Sequence, residues 1–505
     1  MANPLYDRLF GRHAGSDAPF LIDGAGGETS FAAFLALAAR IAGALREAGL
    51  RPGDRVAAQV AKSPEALALY AACARSGLVF LPLNTAYTAA ELGYFVADSG
   101  AACLVCDPAR EADLAPVAEG CGARLLTLDG GGGGTLMARA KGQSEDFATV
   151  ARGEEDLAAL LYTSGTTGRS KGAMLTQRNL LSNAATLTEL WQFTGRDVLL
   201  HALPIFHTHG LFVATNVMLE AGGSMIFLPG FEAGRVIDLM PRATALMGVP
   251  TFYTRLLEED RFTRETAAGM RLFISGSAPL LEETHRQFEA RTGHRILERY
   301  GMTETNMSTS NPYEGERRAG TVGFPLPGVE LKITDPESGE GLPAGEIGMI
   351  EVRGPNVFRG YWGMPEKTAA ELRADGFFIT GDLGRVDADG YVQIVGRGKD
   401  LIISGGLNVY PKEVELVLDA VPGVLETAVI GVPHGDLGEA VVAVVVPEPG
   451  AAPEEATLMA AANEALARFK HPKRIAFLDA LPRNTMGKVQ KGALRERFAG
   501  LFGDA

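Results

Sequence analysis

Along most of this chain, short runs of apolar residues alternate with longer stretches in which apolar positions recur every three or four residues. Residues 55–59, 78–83, 101–106, 158–162, 225–228, 245–249 and 272–274 read as buried strands. Between the first two, Ser63-Pro64-Glu65 opens a helix. The serine can cap it, proline suits its first turn, and Gly77 ends it. Strands apolar on both faces, separated by amphipathic helices, predict a mostly parallel sheet covered on both sides. Such sheets bind ligands at loops beyond the carboxyl ends of their strands. The glycine run 130–134 reads as a flexible connector.

After Gly396 the texture changes. Residues 411–420 and 454–467 read as helices, and 428–432, 440–446 and 475–478 as strands. The expectation is an α/β protein with a large N-terminal domain, residues 1–396, of mostly parallel covered sheets. A small α+β C-terminal domain, residues 397–505, follows across a hinge. A chain of 505 residues accommodates two domains or more.

Composition removes several function classes. A formal charge of −14 argues against a nucleic-acid partner, which calls for a basic face. No uninterrupted apolar run reaches the roughly 20 residues of a membrane span, and residues 1–7 lack the basic-then-apolar signature of a secretory signal. All four cysteines lie in the first third, and Cys103 and Cys106, spaced C-x-x-C, sit inside an apolar run. Burial on a strand explains them better than a redox pair or zinc site. The expectation is a cytoplasmic protein with no membrane partner. The negative charge also means that any anionic ligand needs basic side chains and backbone N–H groups gathered locally.

Five segments carry candidate chemistry. In Leu160-Leu-Tyr-Thr-Ser-Gly-Thr-Thr-Gly-Arg-Ser-Lys-Gly172 a buried strand runs into small and hydroxylated residues and then a lysine. Glycines let backbone wrap phosphate oxygens, Thr163, Ser164, Thr166 and Thr167 add donors, and Lys171 adds charge. A solvated loop is the plain alternative, and its position straight off a buried strand disfavours it. The Walker pattern is absent. In Arg299-Tyr-Gly-Met-Thr-Glu-Thr305, Tyr300 could stack on a base, Thr303 could donate to phosphate, and Glu304 could hold magnesium through hard oxygens. Asp382, in Phe378-Ile-Thr-Gly-Asp382, could accept from ribose hydroxyls. The segment 396–411 is glycine-rich at the domain junction. The fifth, Pro482-Arg-Asn-Thr-Met-Gly-Lys488, ends on a lysine in a turn.

In this order and at these separations the five segments resemble the AMP-forming acyl-CoA synthetase superfamily over the whole chain. The resemblance implies ATP and coenzyme A as co-substrates and Mg2+ as cofactor. It implies that Thr163, Ser164, Gly165, Thr166, Thr167, Gly168 and Lys171 hold the β- and γ-phosphates. Gly276 and Ala278 would form the adenine-site turn, Tyr300 would stack on adenine, and Thr303 would touch the α-phosphate. Glu304 would carry the metal, Asp382 and Arg397 would meet the ribose, and Lys399 would be the hinge. Gly405 and Gly406 would line the pantetheine route. Lys488 would neutralise charge as an acid attacks the α-phosphorus, and a lysine acyltransferase acting on Lys488 would switch the enzyme off.

The acid is read from fewer residues. In Leu203-Pro-Ile-Phe-His-Thr-His-Gly210, His207 would face the acyl site and His209 could be structural; zinc would need a third ligand. Arg299 beside the reacting carboxylate would be wasted on an alkyl tail and would suit a second carboxylate, which a guanidinium binds bidentately. Its alternative is an arginine turned towards Glu298 or solvent. With Ser275-Gly-Ser-Ala-Pro279, where Ser277 joins the acyl-site residues, the set resembles malonyl-CoA synthetases. Malonate is the expected acid, with methylmalonate plausible. A coenzyme A ligase for another short-chain acid, a standalone enzyme loading a carrier protein and a non-catalytic nucleotide binder are the competing readings.

Overall fold

The computed structural model describes residues 2–163, 170–405, 407–484 and 487–502. They form two compact units: residues 1–330 with 353–378, and residues 331–352 with 379–505.

The first unit holds two sheets. A six-stranded sheet runs Arg124–Thr127, Cys103–Cys106, Arg55–Gln59, Val79–Pro82, Leu157–Thr163 and Lys171–Thr176. All neighbours are parallel except the last pair, which is antiparallel. Helices Ala89–Ser99 and Glu111–Gly120 bring Leu92, Phe95, Val96, Leu114 and Ala118 onto Ala57, Leu81, Leu104, Cys106 and Leu160. Cys103 and Cys106 are buried, free thiols, and burial pushes them up to about 12 and about 11. A nine-stranded sheet has a parallel centre, with Leu297–Met302, Leu272–Ser275, Ala245–Gly248, Val198–His201, Ser224–Phe227 and Pro19–Ile22 in that order. Antiparallel strands close both edges.

The helix expected after Ser63 is Pro64–Ser76. Ser63 accepts from the Ala66 N–H, and Gly77 caps the end at φ 70°. The glycine run 130–134 is more ordered than a flexible connector. Asp129 accepts from the N–H groups of Gly131 and Gly133, both at 2.8 Å. At Gly134, φ is 107° and a Cβ would lie 2.3 Å from the Thr127 carbonyl oxygen, so only glycine fits.

In the second unit, Val424–His434 and Gly438–Pro447 are paired antiparallel strands, with Arg474–Phe477 parallel beside the latter. Both faces are covered. Val441, Ala443 and Val445 pack with helices Pro411–Asp419 and Glu455–Ala465, and Val442, Val444 and Val446 pack with Leu494. That explains the unbroken apolar run there, since alternate residues of a strand face opposite sides. All but the end residues Glu330, Arg353 and Phe378 of a four-stranded sheet, Glu330–Thr334, Gly348–Arg353, Phe378–Val386 and Val392–Arg397, also fall in this unit. The compact unit therefore begins well before the sequence-read junction at 396/397. Strand pairing groups residues that are distant along the chain, and composition does not report it.

Candidate active site

The glycine- and threonine-rich segment is held by its flanks. Thr163 ends one strand and pairs with Lys171, the first residue of the next. Ser164, Gly165, Thr166, Thr167 and Gly168 lie outside the described residues. Tyr94 donates to the Ser170 carbonyl at 2.7 Å, which fixes the returning chain. Residues 359–362 run alongside that strand: the Trp362 N–H donates to the Gly172 carbonyl at 2.7 Å, and the Met174 N–H to the Gly360 carbonyl at 3.0 Å.

The same segment delivers Tyr361, whose hydroxyl lies 3.0 Å from Glu304 Oε1 and 2.6 Å from Glu371 Oε2. The Lys171 ammonium is 3.3 Å from both Glu371 oxygens and 4.2 Å from the centre of the Tyr361 ring. One contact chain thus joins the lysine of the phosphate-type loop to Glu304. Burial, then the neighbouring carboxylates, raises the tyrosine pKa and keeps its proton on. Burial opposes ionisation of Glu371, yet Lys367, Tyr361 and Lys171 hold its pKa below the ordinary value. Sequence reasoning missed Tyr361 and Glu371: aromatic and acidic residues in a helix-flanking stretch carry no local signal.

Glu304 is buried, and among the described residues no three His, Cys, Asp or Glu side chains converge as a metal cage. A single fixed carboxylate suits Mg2+, which keeps several waters and shares substrate phosphates. The residues present therefore fit that ion. Tyr300, half-buried, lies on the strand Leu297–Met302, and Thr303, also half-buried, opens the turn that contains Glu304.

Arg299 is 2% exposed, on the strand Leu297–Met302. Its guanidinium lies across Gly276, where a Cβ would come within 2.4 Å of Cζ. Its Nε and Nη2 are buried with no hydrogen-bond partner among the described residues. Burial lowers its pKa to about 9. The side chain is not turned to solvent: it is buried, the Glu298 charge acts on it, and Glu298 also accepts from the Leu280 N–H at 3.3 Å. Next to Gly276, Ser277 adopts φ 72°, a left-handed conformation costly for a residue with Cβ. Its hydroxyl meets His209 Nδ1 at 3.2 Å, and His207 Nδ1 accepts from the His209 N–H at 3.2 Å. His209 is buried, its Nε2 has no hydrogen-bond partner among the described residues, and burial with the Arg299 charge holds its pKa well below the usual histidine value. His209 thus joins Ser277 and lies within electrostatic reach of Arg299, while His207 supports it. Ala278 follows, half-buried.

Within the second unit, Asp382 and Arg397 face each other across a strand pair, with Nε to Oδ1 at 2.7 Å. Lys399 lies in the turn that follows; burial, then its basic neighbours Arg397 and Arg495, lowers its pKa although Asp400 opposes this. Gly405, at φ 59°, ends the strand Ile402–Ser404, and Gly406 lies outside the described residues. Lys488 is exposed, and its backbone exchanges hydrogen bonds with Asn484.

Parallel α/β sheets that bring a lysine beside a glycine- and threonine-rich segment into one contact chain with a tyrosine and a buried carboxylate suit a nucleotide-using enzyme. The AMP-binding enzyme model matches residues 11–362 and the AMP-binding enzyme C-terminal domain model matches residues 413–488. The chain belongs to the AMP-binding enzyme family. ATP-bound MatB from Rhodopseudomonas palustris is 59% identical, with a TM-score of 0.98 over 99% of this chain and 100% of that one. A feruloyl-CoA synthase from Amycolatopsis is 39% identical over 91% of this chain and 92% of its own length. The malonate–CoA ligase of Arabidopsis thaliana is 38% identical over 83% and 74%.

Proposed function

We propose that this protein joins malonate, or the similar methylmalonate, to coenzyme A through an acyl-AMP intermediate, releasing AMP and pyrophosphate. The observation that carries the choice of acid is Arg299, a buried guanidinium with two nitrogens that no group among the described residues satisfies. The Glu298 charge acts on it, but buried guanidinium N–H groups left without acceptors are costly unless a ligand supplies them. A dicarboxylate does so with its distal end. A monocarboxylic aromatic acid such as ferulate offers no such group. The malonate–CoA ligase relative supports the same reading.

A carboxylate is a poor electrophile because its leaving group would be oxide. One of its oxygens bonds to the α-phosphorus of ATP as the bond to pyrophosphate breaks. The thiol sulfur then bonds to the acyl carbon as the carbon–oxygen bond to AMP breaks, and the thiol proton is released. Lys171 and Thr163 hold the terminal phosphates, Tyr300 the adenine beside Gly276 and Ala278, and Thr303 the α-phosphate. Asp382 and Arg397 take the ribose. Lys488 neutralises charge during the first step. Magnesium held at Glu304 would add charge neutralisation on the phosphates. The segment 397–505 moves between the two steps about Lys399, and Gly405 and Gly406 then line the pantetheine route.

The test is R299A assayed with malonate and with propionate. A charge-assisted hydrogen bond contributes about 1.5–3 kcal/mol, so kcat/KM for malonate should fall at least about tenfold. Propionate should be spared and the KM for ATP should barely move. Equal losses for both acids would remove the dicarboxylate assignment. Malonyl-CoA formation, with malonate-dependent pyrophosphate release that turns over repeatedly only when coenzyme A is present, separates this reading from carrier-protein loading and from mere nucleotide binding.

A further inference from the structure

Lys62 has no part in the chemistry above, yet its ammonium is held by three acceptors. It donates to the His201 carbonyl at 2.7 Å, to the Leu203 carbonyl at 2.8 Å and to His201 Nδ1 at 2.8 Å. It also lies 4.4 Å above the Phe227 ring. The residue keeps some exposed surface, but the ammonium is deep enough for burial to lower its pKa well below the usual lysine value. Three donors and three acceptors match, and among the described residues none of these acceptors is a carboxylate.

The contact of Nε2 with the Gly210 carbonyl decides the state of His201. A carbonyl oxygen can only accept, so Nδ1 is left as the acceptor facing Lys62 and the proton of the neutral ring sits on Nε2. From there it is donated to the Gly210 carbonyl at 2.8 Å, which Thr215 Oγ1 also reaches at 2.9 Å. Burial and the charge of Lys62 keep the imidazole neutral. Lys62 therefore grips the 203–210 turn at its start directly and at its end through His201. The turn is tight: a Cβ at Gly210 would lie 2.1 Å from the Pro204 carbonyl oxygen. At its far end the backbone enters a π-helical stretch, His209–Thr215, a conformation that recurs at functional sites. Between the two grips lie His207 and His209, and His209 meets Ser277.

We propose that Lys62 is a positioning residue for the acid-binding wall: through His201 it sets the turn that carries His207 and His209. The proposal rests on the acid-site reading given above. A lysine here has a reason that a neutral apolar residue cannot reproduce, since removing it strands three acceptors at once. The loss falls on the wall that meets the acid, whereas the groups assigned to the phosphates belong to other elements.

The experiment compares wild type, K62M, K62Q and R299A. Each is assayed for the KM of malonate, propionate and ATP, with a melting curve for each variant. K62M should raise the KM of both acids, that for malonate about tenfold, leave the KM of ATP within about twofold and change kcat less than KM. K62Q, which keeps two donors without the charge, should recover part of the loss and serves alone if the methionine variant does not fold. Acid and ATP KM values that rise together, or an unchanged acid KM in K62Q and K62M, would overturn the proposal. Failure of the acid-site reading looks different: R299A would then lose both acids equally whatever Lys62 does.

Discussion

Tyr361 has one hydroxyl proton and two carboxylates in reach. It can donate fully to only one of them at a time, so its orientation couples Glu304 to Glu371 and through that to Lys171. Neither carboxylate can be read as an isolated group. Phenylalanine at 361 keeps the ring under Lys171 and removes only the hydroxyl. A buried carboxylate that loses its donor costs about 1–3 kcal/mol. Y361F should therefore weaken ATP, raising its KM several-fold, with the malonate KM within about twofold. Direct calorimetric titration of ATP should show the same weakening without turnover. Unchanged ATP binding would make Tyr361 a packing residue. Arg299 belongs at this scale too. Its position next to Tyr300 was legible in the sequence, and its inward orientation was not, because strand alternation could have sent it either way.

Among the elements, the helix Pro411–Asp419 ends on a carboxylate that its surroundings disfavour. Burial raises the Asp419 pKa from 3.8 to about 6, against the charge of Lys412 and a hydrogen bond from Thr427 at 2.7 Å. The sign follows from linkage. A carboxyl whose folded pKa lies above its unfolded value favours folding most when protonated. Its contribution is complete below about pH 3.8 and is lost as pH rises through about 6. Wild type thus carries an ionised, buried Asp419 at neutral pH. D419N keeps an acceptor for Thr427 and removes that charge, so its melting temperature should exceed the wild-type value at pH 7.5. The gap should shrink or vanish by pH 4.5. A gap independent of pH would show that Asp419 is not the titrating group. The strands of this unit were legible because both sheet faces are covered and the apolar run is continuous. The edge strands of the nine-stranded sheet were not, because antiparallel edges carry polar residues such as Ser308, Thr309 and Ser310.

Movement of the C-terminal segment about Lys399 is the prediction proper to the whole molecule. Proline fixes φ and would stiffen the turn Gly398–Asp400. K399P should retain pyrophosphate release dependent on malonate while losing thioester formation from supplied malonyl-AMP. Equal loss of both half-reactions would place the hinge elsewhere. Among the described residues no helix is long and apolar enough to cross a membrane.

What the sequence determined by itself was what short segments and their order along the chain encode. Short apolar runs marked the parallel strands, Ser63 and Gly77 the limits of a helix, and the order of five segments the family. Tertiary structure alone decided which distant groups meet. Glu304 and Tyr361 are 57 residues apart, Lys62 and His201 are 139, and Lys171 and Glu371 are 200. No local pattern encodes such pairs, since each half is an ordinary lysine, tyrosine or glutamate until sheet pairing brings the other within hydrogen-bonding distance. The same holds for Arg299: charge and neighbours are written in the chain, but burial against Gly276 follows from the packing of two parallel strands.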